Sequence, residues 1–543
     1  MTSPNLVSGT QYDVVMSPLS DDILFERDVP VVMRDGVRIS VNVFRPRGEG
    51  HYPVIMATSP YGKDGFEAIG IFSTVPDNHI GHIRISDHVA FEAPDPSFWV
   101  PHGYVVIQVD TRGQGKSEGA TLLLGPDEQA DYAELIGWAA AQPWSNGNVG
   151  LNGVSYLAFS QWFVAQHRPP ALKAIVPWEG FNDFYLRNFF GGIPEVGFWP
   201  WVIEQWVRPL HNPAFPFIAS EAAADHPLKD DFWDMVSPKL SRIEAPALIC
   251  ASFSDQGLHS RDSFEAYKQI SSPHKWLYSH RQPKWHAYYS EQALDLQRRF
   301  LDRFLKGDAS AMDDVPSVRV EINESRDVFS VHDARQWPIE GTEYVPYYLS
   351  KGGLTPEPGE SARLIYAPDE QGGLVFDLAF NADTRIVGHT KLRLWVEAEG
   401  ADDMDLFVGM KKIDAHGDEV FFYGFGGTNP NDIVARGFLR ASHRELDLDR
   451  SAPWQPVHLH KRRLTLSAGE IVPLEIEIFP SATLFRKGER LRLVIQGHPI
   501  APDAVLLKFL PQNAGTHVLH LGGRHDAHLL LPVLPAEGRS PTF

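Results

Sequence analysis

The feature that most constrains the fold of this chain is a rhythm in its first third, where short apolar runs alternate with helix-like stretches. PVIMAT (53–58) and GYVVIQVD (103–110) read as buried strands, and DEQADYAELIGWAAA (127–141) as a helix with acids in its first turn. NVGLNGVS (148–155), ALKAIVPW (171–178) and APALICAS (245–252) are further strands, with YLAFSQWFVAQ (156–166) as a helix between the first two. Strands alternating with helices imply βαβ units, hence a mainly parallel sheet covered on both faces. VRISVNVF (37–44) alternates apolar and polar residues and predicts an exposed or edge strand.

The rhythm breaks between about 179 and 240, a stretch rich in Trp, Phe and Pro that predicts a mostly helical insertion over the sheet. YYSEQALDLQRRFLDRFLKG (288–307) predicts an amphipathic helix stopping at Gly307. After about 311, short alternating segments such as KLRLWVEAEG, LEIEIFP and RLRLVIQG predict an antiparallel sandwich or jelly roll. A length of 543 residues suits two to four domains.

Charge and cysteine content narrow the function classes. Asp and Glu outnumber Lys and Arg by 69 to 49, a net charge of −20, which argues against nucleic acid or an anionic membrane as the main partner. A single cysteine, Cys250, excludes an intrachain disulfide and a Cys-rich zinc site, and predicts an inert core thiol. No apolar run of membrane-spanning length occurs, and the opening residues do not read as a signal peptide, so the expectation is a cytoplasmic protein acting on a small molecule, with homo-oligomerisation left open.

The segment that carries chemistry is Gly150-Leu-Asn-Gly153-Val-Ser155-Tyr156-Leu157-Ala158. A strand, a tight turn and a helix meet at Ser155, as a nucleophile elbow requires, because the turn holds the serine oxygen clear of the sheet at a helix start. The common pattern has glycine two positions after the serine, where this chain has Leu157.

These features resemble the family of serine hydrolases that includes cocaine esterase, X-Pro dipeptidyl-peptidase and α-amino-acid ester hydrolase. The similarity is carried by MRDGVRISVNVFRP (33–46), SPYGK (59–63), GYVVIQVDTRGQGKSEG (103–119), QPWSNGNVGLNGVSYLA (142–158), SFSDQG (252–257) and RRFLDRFLKG (298–307). It extends through DDMDLFV (402–408), LEIEIFPSATLFRKGERLRLVI (474–495) and RHDAHLLLPV (524–533). The family elbow is usually G-x-S-Y-x-G; Ala158 replaces its last glycine. The resemblance implies an α/β-hydrolase domain over 1–178 and 241–311, a helical cap over 179–240 and a jelly-roll domain over 312–543.

It also implies a triad in the order Ser, Asp, His. Ser155 is the nucleophile and Asp255 the acid. The family places the base in the loop after the next strand, where KWLYSHRQPKWHAYYS offers His280, preferred because it follows directly from WLYS, and His286 as the alternative. The backbone N–H of Tyr156 and the hydroxyl of Tyr61 are the expected oxyanion donors. The expected reaction is hydrolysis of a carboxylic ester through an acyl-enzyme, with amide or peptide hydrolysis as runner-up and a non-catalytic binding protein as the alternative from another class. No metal or organic cofactor is expected.

Other signals carry less. RGQGKSEG lacks the first glycine of a phosphate loop, since Asp110 stands there, and the third glycine of a dinucleotide loop, since Glu118 stands there. The group Asp77, His79, His82, Asp87 and His88 matches no metal signature, and His458 and His460 fit a solvated strand. Phe189, Phe190, Phe198, Trp199, Trp201 and Trp206 suit a pocket or the core of the insertion equally well, and no motif gives Glu179 or Asp183 a role.

Overall fold

The computed structural model describes residues 12–65, 80–120, 123–207, 223–369, 373–424, 431–500 and 506–535. Ten strands form the sheet that carries the site. They are β1 (Ile23–Val32), β2 (Arg38–Pro46), β3 (Tyr52–Ser59), β4 (Val105–Asp110), β5 (Ser145–Val154), β6 (Leu172–Trp178), β7 (Ala247–Ser252), β8 (Lys275–His280), β9 (Val318–Asn323) and β10 (Phe329–Ala334). Their order across the sheet is β1-β2-β4-β3-β5-β6-β7-β8-β9-β10. From β4 to β9 every pairing is parallel. The apolar runs sit in the middle: all six residues of β4 and of β7 are buried, as a strand covered on both faces must be.

The strand containing VRISVNVF is not at an edge. β2 lies between β1 and β4, and its polar residues Ser40 and Asn42 are buried with the apolar ones. Neighbouring segments satisfy the Asn42 side chain, which accepts from the Asp28 amide of β1 (3.1 Å) and donates to Asp64 (2.9 Å), and the Ser40 backbone amide donates to Ser117 Oγ (2.9 Å). Alternation here records buried hydrogen bonding rather than exposure.

The helices that matter are α1 (Pro126–Ala140), α2 (Tyr156–Ala165), α3 (Ser260–Gln269), α4 (Lys284–Tyr288) and α5 (Glu291–Leu301). The amphipathic stretch 288–307 is helical and stops at Gly307 as expected, but its helix begins only at Glu291. Ser290 caps α5 by accepting from the Ala293 amide (3.3 Å), and a wider helical turn, Asp302–Lys306, ends at Gly307 in the left-handed region (φ 80°).

The inserted segment has only short helices among its described residues, including Phe184–Asn188, Phe198–Val202 with a wider turn Ile203–Val207 continuing it, and Asp231–Met235. Gly191, Gly192 and Pro194 interrupt it. Its aromatics serve as core and as glue: Phe181, Phe184 and Trp199 pack edge-to-face or stacked at 4.8–5.9 Å, and Phe190 meets Phe438 and Phe509 at 5.1 and 5.3 Å.

The C-terminal part is an antiparallel sandwich. Its central strand, β11 (Thr384–Glu399), pairs along its length with Val472–Phe485, and on its other side with Thr516–Leu521 and His528–Leu534. Facing it, Asp405–Ile413 pairs with Ala435–Arg440 and Arg490–Gln496. Leu392, Leu394, Leu406, Val408, Leu474 and Leu493 fill the space between the layers. One bridge, Asn323 to Thr483, makes β9 continuous with this sandwich.

No helix among the described residues is long and apolar enough to cross a membrane. Asp77, His79 and the Trp206 side chain lie outside what the structure describes. Of that histidine group, His88 pairs locally with Asp87 (2.6 Å) at the surface.

Candidate active site

Ser155 stands at the end of β5 with φ 57° and ψ −117°, and α2 begins at the next residue. That left-handed serine is the strained corner of a nucleophile elbow. Its amide is shared between the carbonyls of Trp178 (3.1 Å) and Glu179 (3.2 Å), which ties the corner to the end of β6. Two close approaches make the turn. A Cβ on Gly153, at φ 153°, would stand 2.5 Å from Leu157 Cβ. A Cβ on Gly180 would stand 2.8 Å from Ala158 Cβ. The glycine that the family pattern puts at 158 is thus replaced by one on the facing segment, and Ala158 fits because residue 180 has no side chain.

The serine faces an imidazole, and it is neither His280 nor His286. Ser155 Oγ lies 3.3 Å from His259 Nε2, and His259 Nδ1 lies 2.5 Å from Asp255 Oδ2. Asp255 follows the end of β7, and its carbonyl accepts the amides of Leu258, His259 and Ser260 (3.0–3.1 Å). This single turn places the carboxylate and the imidazole on one side, four residues apart, at the start of α3. Rings of Phe181 and Phe159 lie nearly parallel to the imidazole at 6.1 and 6.2 Å. Ser155 keeps 9% of its surface, whereas Asp255 keeps none.

His280 is occupied elsewhere. Its Nε2 meets Glu179 Oε1 (3.1 Å), and its Nδ1 accepts the Gln282 amide (3.1 Å), so the proton sits on Nε2 and points at the carboxylate. Glu179 Oε2 accepts from Ser252 Oγ (2.6 Å). His286 is half-buried, with Nδ1 2.8 Å from the His82 carbonyl. The histidine expected after β8 is therefore not brought to Ser155, because both ring nitrogens of His280 are committed beneath the site. The His259 signal was legible as Asp-x-x-x-His at a helix start, a spacing the resemblance passed over.

The loop after β8 instead contributes a cation. Lys284 Nζ lies 2.7 Å from Asp255 Oδ2 and 3.0 Å from His259 Nδ1, fully enclosed. Burial, reinforced by this ammonium, pushes the His259 imidazolium down to about 4, against the pull of Asp255. Burial works to raise Asp255, but Lys284 and His259 outweigh it and hold the carboxyl below the usual range. Glu92, just across, is the opposite case: burial raises it to about 8 despite Lys284 and a hydrogen bond from Trp285 Nε1 (3.0 Å).

The two expected oxyanion donors flank the corner. Tyr156 opens α2, where the first amides have no intrahelical acceptor, and its hydroxyl is turned away to Glu128 (2.7 Å to both oxygens). The Tyr61 ring packs edge-to-face on Tyr156 (6.0 Å) and Phe91 (5.7 Å). Burial, then Glu92, holds its hydroxyl well above the usual phenol range, so it stays a proton donor.

Among the described residues, two side-chain groups have metal-like composition. Glu179, Cys250 and His280 bring ligand atoms within 4.8 Å of one another, but Ser252 and His280 already donate to both Glu179 oxygens, and burial keeps the Cys250 thiol protonated. Glu265, His389 and Glu477 converge where α3 meets the sandwich, but the Gln455 amide bridges the two carboxylates (2.6 and 2.8 Å) and Lys268 and Arg261 neutralise them. A cavity of about 560 Å³ beside α3, lined by Asn182, Lys229 and Arg261 among others, includes none of Ser155, Asp255 and His259 and is not the acyl pocket.

A parallel sheet in this strand order with a strained serine at the end of β5 defines an α/β-hydrolase. Residues 35–288 match the X-Pro dipeptidyl-peptidase (S15 family) model, and residues 310–529 match the X-Pro dipeptidyl-peptidase C-terminal non-catalytic domain. A CocE/NonD family hydrolase from Staphylococcus aureus is 41% identical, with 94% of each chain covered and a TM-score of 0.89. Cocaine esterase from Rhodococcus sp. (strain MB1 Bresler) is 25% identical over 93% of this chain and 98% of its own length. An aminopeptidase from a Thaumarchaeota archaeon shares the fold at 16% identity, with 96% and 98% of the chains covered and a TM-score of 0.70. The chain belongs to the CocE/NonD family of hydrolases, and it is a serine hydrolase of the S15 type.

Proposed function

We propose that the protein hydrolyses small carboxylic esters through an acyl-enzyme, with Ser155 as nucleophile, His259 as general base and Asp255 as its orienting acid. The observation that carries this reading is the chain of contacts Ser155 Oγ, His259 Nε2, His259 Nδ1, Asp255 Oδ2 at 3.3 and 2.5 Å, set at a strained elbow. Asp255 takes the Nδ1 proton in a hydrogen bond, which leaves the Nε2 lone pair facing the serine. As Ser155 Oγ bonds to the carbonyl carbon, its proton passes to Nε2 and the carbonyl electrons move to oxygen. The Tyr156 amide and the Tyr61 hydroxyl are the donors for that oxyanion. Collapse breaks the bond to the leaving alkoxide, which takes the Nε2 proton. Water, deprotonated by the same nitrogen, then releases the acid and restores Ser155.

The alignment with a cocaine esterase over most of both chains supports ester rather than amide cleavage. The test pairs p-nitrophenyl acetate turnover with labelling by a fluorophosphonate probe, alongside X-Pro dipeptide and β-lactam side-chain amide substrates. Wild type should turn over the ester and take up one label, and Ser155→Ala should do neither. Labelling that persists in Ser155→Ala removes the nucleophile assignment; faster cleavage of an amide than of any ester replaces the substrate class.

A further inference from the structure

We propose that Lys284 is a positioning residue that keeps His259 in its proton-accepting form in acid solution, so that the enzyme works below the pH at which an ordinary imidazole base becomes charged. The inference rests on His259 being the base. It starts from geometry. Lys284 Nζ sits 2.7 Å from Asp255 Oδ2, the same oxygen that His259 Nδ1 reaches at 2.5 Å, and 3.0 Å from Nδ1 itself. An ammonium has three donors and no acceptor, so it cannot receive the Nδ1 proton. Its short contact with Asp255 is an ion pair, while its approach to the imidazole places positive charge beside the ring that must become an imidazolium.

Both consequences favour a neutral base. The paired carboxylate stays ionised and keeps holding Nδ1–H, so the Nε2 lone pair remains directed at Ser155. A proton arriving on Nε2 from solvent meets the Lys284 charge at close range in an enclosed site, where screening is weak. The other charged and titratable groups facing this cluster do not cancel the effect. Glu179 pulls the other way but acts on His259 more weakly than Lys284 does, and burial keeps Glu92 protonated to about 8. Arg187, from the inserted segment, donates to the Gly257 carbonyl (2.7 Å) and adds positive charge near Asp255. Arg261 and Asp262, on α3, pair with each other (3.0 Å). Tyr61 stays neutral. Burial and Lys284 together account for the depressed His259 value.

The experiment is the pH profile of kcat/KM for p-nitrophenyl acetate, read at a wavelength insensitive to product ionisation, for wild type, Lys284→Met, Lys284→Arg and His259→Ala. Wild type should keep its plateau down to about pH 5.5, about one unit below the ordinary imidazole midpoint. Lys284→Met should move the acid limb up by at least about one unit, so that turnover at pH 5 falls about two- to fivefold further below its own plateau than in wild type. Lys284→Arg, which keeps the charge, should keep the limb low. A merely structural role would lower turnover equally at every pH and leave the limb in place, and that result overturns the inference. Wild type also tests it without any variant: an acid limb at pH 6.5 or above is equally decisive against it. His259→Ala separates the two readings. If it retains wild-type turnover, the triad assignment fails; if it is inactive while Lys284→Met keeps the wild-type limb, only the role of Lys284 fails.

Discussion

Asp255 and His259 sit one turn apart on the same loop, and this spacing alone brings the imidazole Nδ1 within 2.5 Å of the carboxylate. Acid and base thus come from one backbone turn rather than from two loops, and the predictions below follow from that arrangement and its surroundings.

Replacing each histidine separates the candidates. His259→Ala should lower kcat by about a thousandfold or more, as removal of a triad base does. His280→Ala should instead act on stability, because it leaves the buried Glu179 carboxylate without one donor, at a cost of about 1–3 kcal/mol. Steady-state kinetics and thermal melts of both variants, with His286→Ala as a near-neutral reference, check this.

Tyr61→Phe should reduce kcat by about 100- to 1,000-fold with little change in KM, the signature of a donor used when charge develops on the substrate oxygen. Unchanged kcat in a folded Tyr61→Phe protein removes this hydroxyl from the mechanism.

The elbow makes a reciprocal prediction. Gly180→Ala should destabilise the protein and slow turnover, since its methyl would stand 2.8 Å from Ala158 Cβ. Adding Ala158→Gly should recover part of both properties, because it removes the closest contact and leaves only the milder crowding against the Phe159 amide nitrogen (3.1 Å). Melting temperatures and ester turnover for the two single variants and the double variant complete the cycle.

Glu92 gives a stability test with a definite sign. Its carboxyl is raised by burial from 4.5 to about 8, so the folded state holds a proton that the unfolded chain releases. Its contribution is fully present below about pH 4.5 and is lost as pH rises through about 8. Glu92→Gln keeps an acceptor for Trp285 Nε1 and cannot ionise, so its melting temperature should gain on wild type steadily between pH 5 and 8.5. A difference independent of pH would show that Glu92 is already charged.

Much of this architecture was legible in the chain. The apolar runs at 53–58, 103–110 and 245–252 became β3, β4 and β7, and the Gly150–Ala158 turn delivered Ser155 to a strained corner. Asp255 emerged as the partner of an imidazole, although the imidazole differs from the one expected. His280 was favoured because it follows directly from WLYS, at the end of β8, yet position along the chain does not reveal which carboxylate a buried ring will meet, and Glu179 after β6 meets this one first. Local spacing did contain the answer in Asp255 and His259. The inserted segment was harder to read, because its aromatics pack against the sheet and the sandwich through tertiary contacts that carry no helical period.

Where the two partners of a proton relay hang from separate loops, any shift of one loop spoils their alignment. Here a single five-residue stretch carries both, so the one thing the relay asks of the segment after β8 is that the Lys284 ammonium stay where it is.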